Sequence, residues 1–594
     1  MRQLNKYALI GLCAFMSSVP AMAAGPAADL NALLNDYRKS EQKLPRDAAL
    51  RSGEDGSEIY DSRGALKEIE AHRRINQAAR LRLDGIDPSG MKPQDRLSYQ
   101  IFRWSLDDEE RELQPDIAEL SGLLPLNQFD GPQTRFPREI AWRADNPWSR
   151  PRDYDNAIRR ILNFSHWIDD EIARMREGLK RGVVQPRAVV ERVIAQTGTF
   201  AVPDARESQF MEPIKAIPAA ITGKERTRVE DAWRAAVSDE LIPAYRRLSN
   251  FLRTEYLPHA GDTPGLCAIP GGKELYLYLV RSETTSDLSP DDIHALGLQE
   301  LSRVETQMEQ AKNDAGFRGS LAEFRHYLQT EPRFKFKDRA AMLTEFNRVR
   351  STVSTHLQDL FIAAPSIPLS FRFYDSFAAP DKPAAEYTPG STDGKRPATV
   401  YLNDWDLPER PTYTSEVLEL HEGIPGHHLQ VSRAIENSGL PRFRRFGEET
   451  AFVEGWALYA ETLGPELGLY KDPYQKFGAL SFDAWRASRL VVDTGIHWLS
   501  WSREQAIQFL TSHTALSRTE AEEEVDRYTV LPAQALAYKI GEREILDLRD
   551  RAKAALGEKF DLRRFHEALL KDGAMPLPIL DQKMMHWIEL EKGA

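Results

Sequence analysis

The chain has 594 residues, 41% of them hydrophobic, with 78 basic against 90 acidic side chains and a net charge of −12. That balance excludes a protein that grips nucleic acid through a basic footprint, and the hydrophobic share is ordinary for a chain with a real core. Only two cysteines occur, Cys13 and Cys267.

The first residues read as a secretory leader. Arg2 and Lys6 form the charged region, 7–19 is apolar, and Ala21-Met22-Ala23 is a small-x-small cleavage site before Ala24. The apolar run is too short for a stable bilayer anchor, and no later run is long enough to span a membrane. Leu12 stands before Cys13 where lipoprotein processing expects a small residue, so simple cleavage is favoured over lipidation. The expectation is export, most simply to a periplasm, of a chain running from 24 to 594 as one helical unit. Cys267 then has no intrachain partner.

From 27 to 130 the pattern is helical and highly charged. Leu30, Leu33, Leu34 and Tyr37 recur at helical spacing, and 66–83 is a second amphipathic run. The segment 154–181 predicts a strong helix with Ala157, Ile161, Phe164, Ile168, Ile172 and Met175 on one stripe. A helix over 186–196 and a long one over 225–256 follow, the second kinked or broken at Pro243. The turn-rich 265–272 precedes 274–281, which reads as a strand or an apolar helix. Ser289-Pro290 caps a helix reaching about 312. Strands are expected at 369–374 and 398–402, separated by Pro-, Gly- and Asp-rich sequence. Helices over 474–500, 503–513 and 518–544 complete the chain, the last interrupted at Pro532. The fold class is therefore mostly α.

The chain is organised around 418–430. Three of its 13 histidines, His421, His427 and His428, fall within eight residues there, together with Glu422. A catalytic zinc site needs three N/O protein ligands and an open position, with a carboxylate nearby as general base on water. In the usual His-Glu-x-x-His helix the two histidines share one face. Here the interval is two residues longer. An undistorted helix would put His421 and His427 about 120° apart and about 9 Å along the axis. Pro425 has no N–H, and Gly423 and Gly426 permit unusual dihedrals, so a bulge over 424–426 can return His427 to register. His427 is the preferred second ligand. His428 is its rival, in phase but about two turns away. Glu454, on the acidic helix 451–461, suits the third ligand position, and Glu461 on the same face suits a partner for a ligating histidine. Zn²⁺, one per chain, is the expected cofactor, although manganese or cobalt suits the same donors.

The motif resembles that of the bacterial family catalogued as domain of unknown function 885: His-Glu, then Pro-Gly-His, then Gln, matched by His421, Glu422, Pro425, Gly426, His427 and Gln430. Phe452-Val453-Glu454, with Glu461 beyond, resembles the second helix of thimet-oligopeptidase-like gluzincins, in which the glutamate after Phe-Val is the third zinc ligand. The likeness runs from about Leu30 to the C-terminus. It implies an ellipsoidal, multi-helix body with a deep central channel and a short β-sheet beside the metal helix, the metal region spanning about 365–545. It also implies that 399–403 is either the edge strand on which an extended substrate pairs or only a support for the metal helix. Gluzincins similar to this chain stabilise the oxyanion with tyrosines and histidines of C-terminal helices. Candidates are Tyr538, His497 and Tyr528, with Asp493 placed to orient His497. Arg486 and Arg489 lie in the same region, where a guanidinium could clamp a peptide carboxylate.

The resulting expectation is an exported zinc peptidase acting on short peptides, an oligopeptidase or a carboxy-directed dipeptidase. His421, His427 and Glu454 bind the metal, Glu422 is the base, and Tyr538 and His497 are donors. Its partner is a short peptide or another small amide, without nucleic acid or a stable membrane anchor. Two alternatives stand: a zinc amidase or esterase on small molecules or cell-wall fragments, and a non-catalytic solute-binding protein.

Overall fold

Helices make up most of the computed structural model, which describes residues 25–41, 65–129, 131–140, 148–374, 379, 382–391, 396–407 and 410–593. The leader expected at 1–23 lies outside these residues. Among them, no helix is long and apolar enough to cross a membrane.

Periodicity translated directly into packing in the N-terminal half. Helices Pro26–Glu41, Ala65–Asp84 and Pro93–Glu112 close a small core through Leu30, Leu33, Leu83, Phe102 and Leu106. In Pro151–Arg181 the whole predicted stripe is buried. It packs with Trp233, Tyr245 and Tyr256 in a separate aromatic core. The helix expected to be kinked or broken at Pro243 is distorted there and not broken. Helix Gly223–Ala235 runs into a wide π turn, Ala236–Leu241, and on into helix Ile242–Phe251. The wider turn accommodates a proline that lacks an N–H and crowds the preceding carbonyls.

The ambiguous apolar run before residue 284 is helix Gly272–Thr284, with Leu275, Tyr276 and Val280 on its buried face. Helix Pro290–Asp314, capped by the Ser289 side chain on the Asp292 N–H as expected, lies along the long helix Pro473–His497.

Among the described residues three strands, Leu369–Phe373, Ala385–Thr388 and Ala398–Leu402, form one sheet with the last of them in the middle. β1 (Leu369–Phe373) pairs parallel with β3 (Ala398–Leu402), and β2 (Ala385–Thr388) pairs antiparallel with β3. β3 is therefore central, so the expectation that 399–403 offers an edge to substrate is corrected. The edge nearest the histidine helix is β2. Leu420, Leu429, Phe452, Trp456 and Leu536 share one large core, which anchors every element that carries the candidate ligands.

Candidate metal centre

Helix Ser415–Glu422 stops one residue after His421, and helix His427–Glu436 starts on His427. The turn between them has the composition of a helix break: Pro425 cannot continue the ladder. At Gly426 a Cβ would lie 2.0 Å from the His421 carbonyl oxygen, so only glycine fits. The turn is held by the His428 N–H on the Gly423 carbonyl at 3.1 Å and by Trp456 Nε1 donating to the Pro425 carbonyl at 2.8 Å. Arg350 Nε donates to the buried Glu419 at 3.2 Å and steadies the first helix.

This break brings the two histidines back together. Their rings lie 4.8 Å apart at 86°, and both Nε2 atoms are 3.5 Å from Glu454 Oε2. The three donor atoms lie within 4.8 Å of one another. A tetrahedral ion with bonds of about 2.1 Å separates its ligand atoms by about 3.4 Å, so the spacing fits zinc. Glu454 Oε2 is buried without a hydrogen-bond partner.

The hydrogen bonding argues the same way. Glu461 Oε1 lies 2.8 Å from His421 Nδ1, which places a proton on Nδ1 and leaves Nε2 as the atom aimed at Glu454. In the metal-free site a proton on Nε2 answers the Glu454 carboxylate, and a metal ion held between them would take that proton's place. Burial opposes charge on His421, but Glu454 and Glu461 outweigh it and lift its pKa to about 9. Burial would raise the Glu454 carboxyl, yet His427 and His421 hold it well below the usual range. The pocket is thus built to receive positive charge.

Glu422 adjoins the trio. Its Oε2 accepts the Tyr387 N–H of β2 at 2.8 Å. Burial raises its pKa against the pull of His421 and His427, which favours a carboxyl able to take up a proton. Tyr387 escaped sequence reasoning because β2 is four residues long inside a loop-rich stretch. Its outward N–H has no signature in the sequence.

His428 turns away from the trio. Its Nδ1 faces the Ser432 and Tyr387 hydroxyls at 3.2 and 3.3 Å, and burial presses its pKa down to about 4. Tyr538 sits half-buried on helix Gln534–Leu556, its hydroxyl 3.4 Å from Gln534 Nε2. Its helix packs along Thr450–Thr462, which carries Glu454, and burial together with the Glu454 charge raises its pKa.

His497 is not brought there. Its Nδ1 accepts the Leu266 N–H at 3.1 Å and its Nε2 donates to the Tyr528 carbonyl at 3.0 Å. Both nitrogens are spent on backbone, and burial lowers the pKa to about 4. The partnership expected with Asp493 is also absent: that carboxylate accepts from the Tyr276 hydroxyl at 2.6 Å and from the Ala533 N–H. Tyr528 is fully buried and accepts from Arg489 Nε and Trp485 Nε1, each at 3.1 Å. Among the described residues a second trio, Glu41, His72 and Glu109, has compatible spacing. There Tyr37 and Asn76 already donate to Glu109.

The family described as "Bacterial protein of unknown function (DUF885)" matches residues 50–584. Two solved structures are similar to the chain. One is described as "the putative lipoprotein from Colwellia psychrerythraea", 26% identical, with a TM-score of 0.83 over 95% of this chain and 100% of that one. The other is "a putative lipoprotein of unknown function from Shewanella oneidensis", 19% identical, with a TM-score of 0.70 over the same shares; it carries the fold alone. No curated protein matches the chain.

Proposed function

Because the chain belongs to the DUF885 family of bacterial proteins, whose description names no reaction, we propose one from the site: an exported, zinc-dependent peptidase of short peptides. The carrying observation is the convergence of His421 Nε2 and His427 Nε2 on Glu454 Oε2, each at 3.5 Å, with that oxygen buried and without a hydrogen-bond partner. Zinc held by these three residues would polarise a carbonyl and acidify a water.

The remaining roles fall to the chain itself. Glu422 takes the proton from the attacking water and passes it to the leaving amine. The Tyr387 N–H holds one of its oxygens and leaves the other for that transfer. Tyr538 is the candidate donor to the oxyanion; His497, with both nitrogens on backbone, is withdrawn from that role. The edge of β2 beside Glu422 suits an extended peptide that pairs through its main chain. The Phe-Val-Glu helix and its distant Glu461, similar to those of thimet-type gluzincins, support a peptide bond as the target. The leader-like N-terminus and the lipoprotein description of the two similar structures support export.

The test is zinc content and hydrolysis of a mixed short-peptide library by wild type, His427→Ala, His428→Ala and Glu422→Gln. One zinc per chain is expected in wild type, His428→Ala and Glu422→Gln, and none in His427→Ala. Chelator-sensitive cleavage should vanish in Glu422→Gln. Failure of wild type to take up zinc would overturn the reading.

A further inference from the structure

Arg486 lies on helix Pro473–His497, 6% exposed. Its guanidinium carbon sits 4.7 Å from the Phe482 ring and 4.5 Å from the Trp485 ring. Neither ring offers an acceptor oxygen. Its Nε and Nη1 are buried without a hydrogen-bond partner, and no carboxylate of the described residues lies within ion-pairing distance. Other buried cations in this region are compensated. Lys539 donates to Asp483 and Glu542, and Arg527 donates to Glu524 and Gln534. Arg489, one turn beyond Arg486, has Nε on the Tyr528 hydroxyl and Nη2 on Glu524. A buried guanidinium with no counter-ion is costly, and this structure avoids the situation at each of those neighbours.

The position of Arg486 gives its isolation a meaning. Helix Pro473–His497 packs against Ser415–Glu422, which carries His421, and against Gln534–Leu556, which carries Tyr538, and the charges of Glu461 and Glu454 bear on Arg486, so it lies on the side of the metal trio. Burial and the like charge of Arg489 disfavour its charged form, and an incoming anion would reverse that. One unpaired guanidinium matches a monoanion. A dianionic phosphate suits it less, with the Glu454 and Glu461 carboxylates acting on the same guanidinium. A planar carboxylate also matches the planar fork of arginine.

We propose that Arg486 receives the free C-terminal carboxylate of a peptide whose scissile bond lies one or two residues upstream, making the enzyme carboxy-directed. The inference rests on the peptidase reading and narrows its substrate class. An extended chain advances about 3.3–3.6 Å per residue, so a carboxylate held on a helix that packs directly against the His421 helix suits a short leaving segment. Arg489 serves by stacking on Tyr538, at 4.6 Å from its ring, and by adding a second positive charge behind the first.

Binding tests this without depending on turnover. The protein is zinc-loaded Glu422→Gln, and the probes are N-acetyl tripeptides, as free acids and as C-terminal amides, measured by calorimetry. The acids should bind about 10–100-fold more tightly than the amides, the range of a hydrogen-bonded charge pair. Adding Arg486→Gln should bring the acids down to the level of the amides. Adding Arg486→Lys should keep part of the preference, because the charge remains. Zinc content, read on each variant, reports whether the fold around the trio survives. Equal binding of acids and amides by the parent protein overturns the proposal, as does a preference that persists in a zinc-bound Arg486→Gln variant. If Arg486→Gln loses its zinc, the comparison of acid with amide on the parent protein still decides. Absence of zinc uptake by wild type would instead overturn the underlying peptidase reading.

Discussion

Replacing Glu461 tests the metal centre without touching a ligand. Its Oε1 lies 2.8 Å from His421 Nδ1, and the side chains are 8% and 5% exposed, so solvent screens the pair little. The carboxylate holds the ring so that His421 Nε2 is aimed at Glu454 and His427. Loss of such a partner lowers metal affinity by about 10–100-fold, or about 1.4–2.7 kcal/mol. Two variants divide that cost. Glu461→Gln keeps an acceptor oxygen and removes the charge, so its loss should lie near about tenfold. Glu461→Ala leaves a buried imidazole N–H without an acceptor, and its loss should approach about a hundredfold. Competition for zinc against a chromophoric chelator at fixed pH reads both values. Affinities within about twofold of wild type in both variants, with helical content intact, would refute the orienting role given to Glu461 at His421 Nδ1.

Gly426→Ala puts a methyl group 2.0 Å from the His421 carbonyl oxygen and 2.3 Å from that of Leu420; backbone must move, at a cost of about 1–3 kcal/mol or more. A lowered Tm together with lost zinc uptake is expected, and wild-type values for both would contradict the tight turn. His566 gives a pH signature away from the site. Buried between the Tyr459 hydroxyl and the Leu360 carbonyl, each at 2.8 Å, it has its pKa pressed down to about 3 by burial. The neutral ring's contribution is complete above the unfolded value of about 6.5 and is lost as pH falls towards 3, at about 1.4 kcal/mol per pH unit. His566→Gln should make the acid-side fall in unfolding free energy shallower by about one proton, read from urea titrations across that range. An unchanged slope would contradict its burial as a neutral group.

The convergence of His421, His427 and Glu454 was legible because local chemistry dictates it. A proline between two glycines can only interrupt a helix, and an interruption is what the six-residue interval from His421 to His427 requires. Glu454 and Glu461, seven apart, lie on one helical face wherever that helix packs. His497 and Asp493 show where this logic stops. Their spacing puts them on one face as well, but spacing does not say what covers that face. Tyr276, from a helix more than 200 positions earlier in the chain, takes Asp493, and backbone from two distant segments takes both nitrogens of His497. Strand order was equally out of reach. β3 reads as the strongest strand, and its apolar sequence is that of a strand buried between two neighbours. The edge belongs to β2, whose four residues lie among loop signals. Periodicity could not decide Gly272–Thr284 either, since a run of eight apolar-rich residues serves a strand or a buried helix equally.

The interrupted helix also explains how three ligands can be held in place before any ion arrives. Breaking a helix frees backbone groups, and buried ones must find partners. Here they do: the Gly423 N–H reaches the Glu419 carbonyl, the His428 N–H reaches Gly423, and the Gln430 N–H reaches Gly426. The Pro425 carbonyl is taken by the Trp456 indole, and Trp456 lies two residues from Glu454. One hydrogen bond therefore couples the turn that positions His427 to the helix that carries the third ligand. Leu420, Leu429, Phe452 and Trp456 fix the same elements in a common core. With donor atoms already 3.5 Å apart, little of the metal's binding free energy would be consumed in ordering the site. High affinity should then coexist with a stable metal-free fold, in contrast to small domains that fold only around their ion.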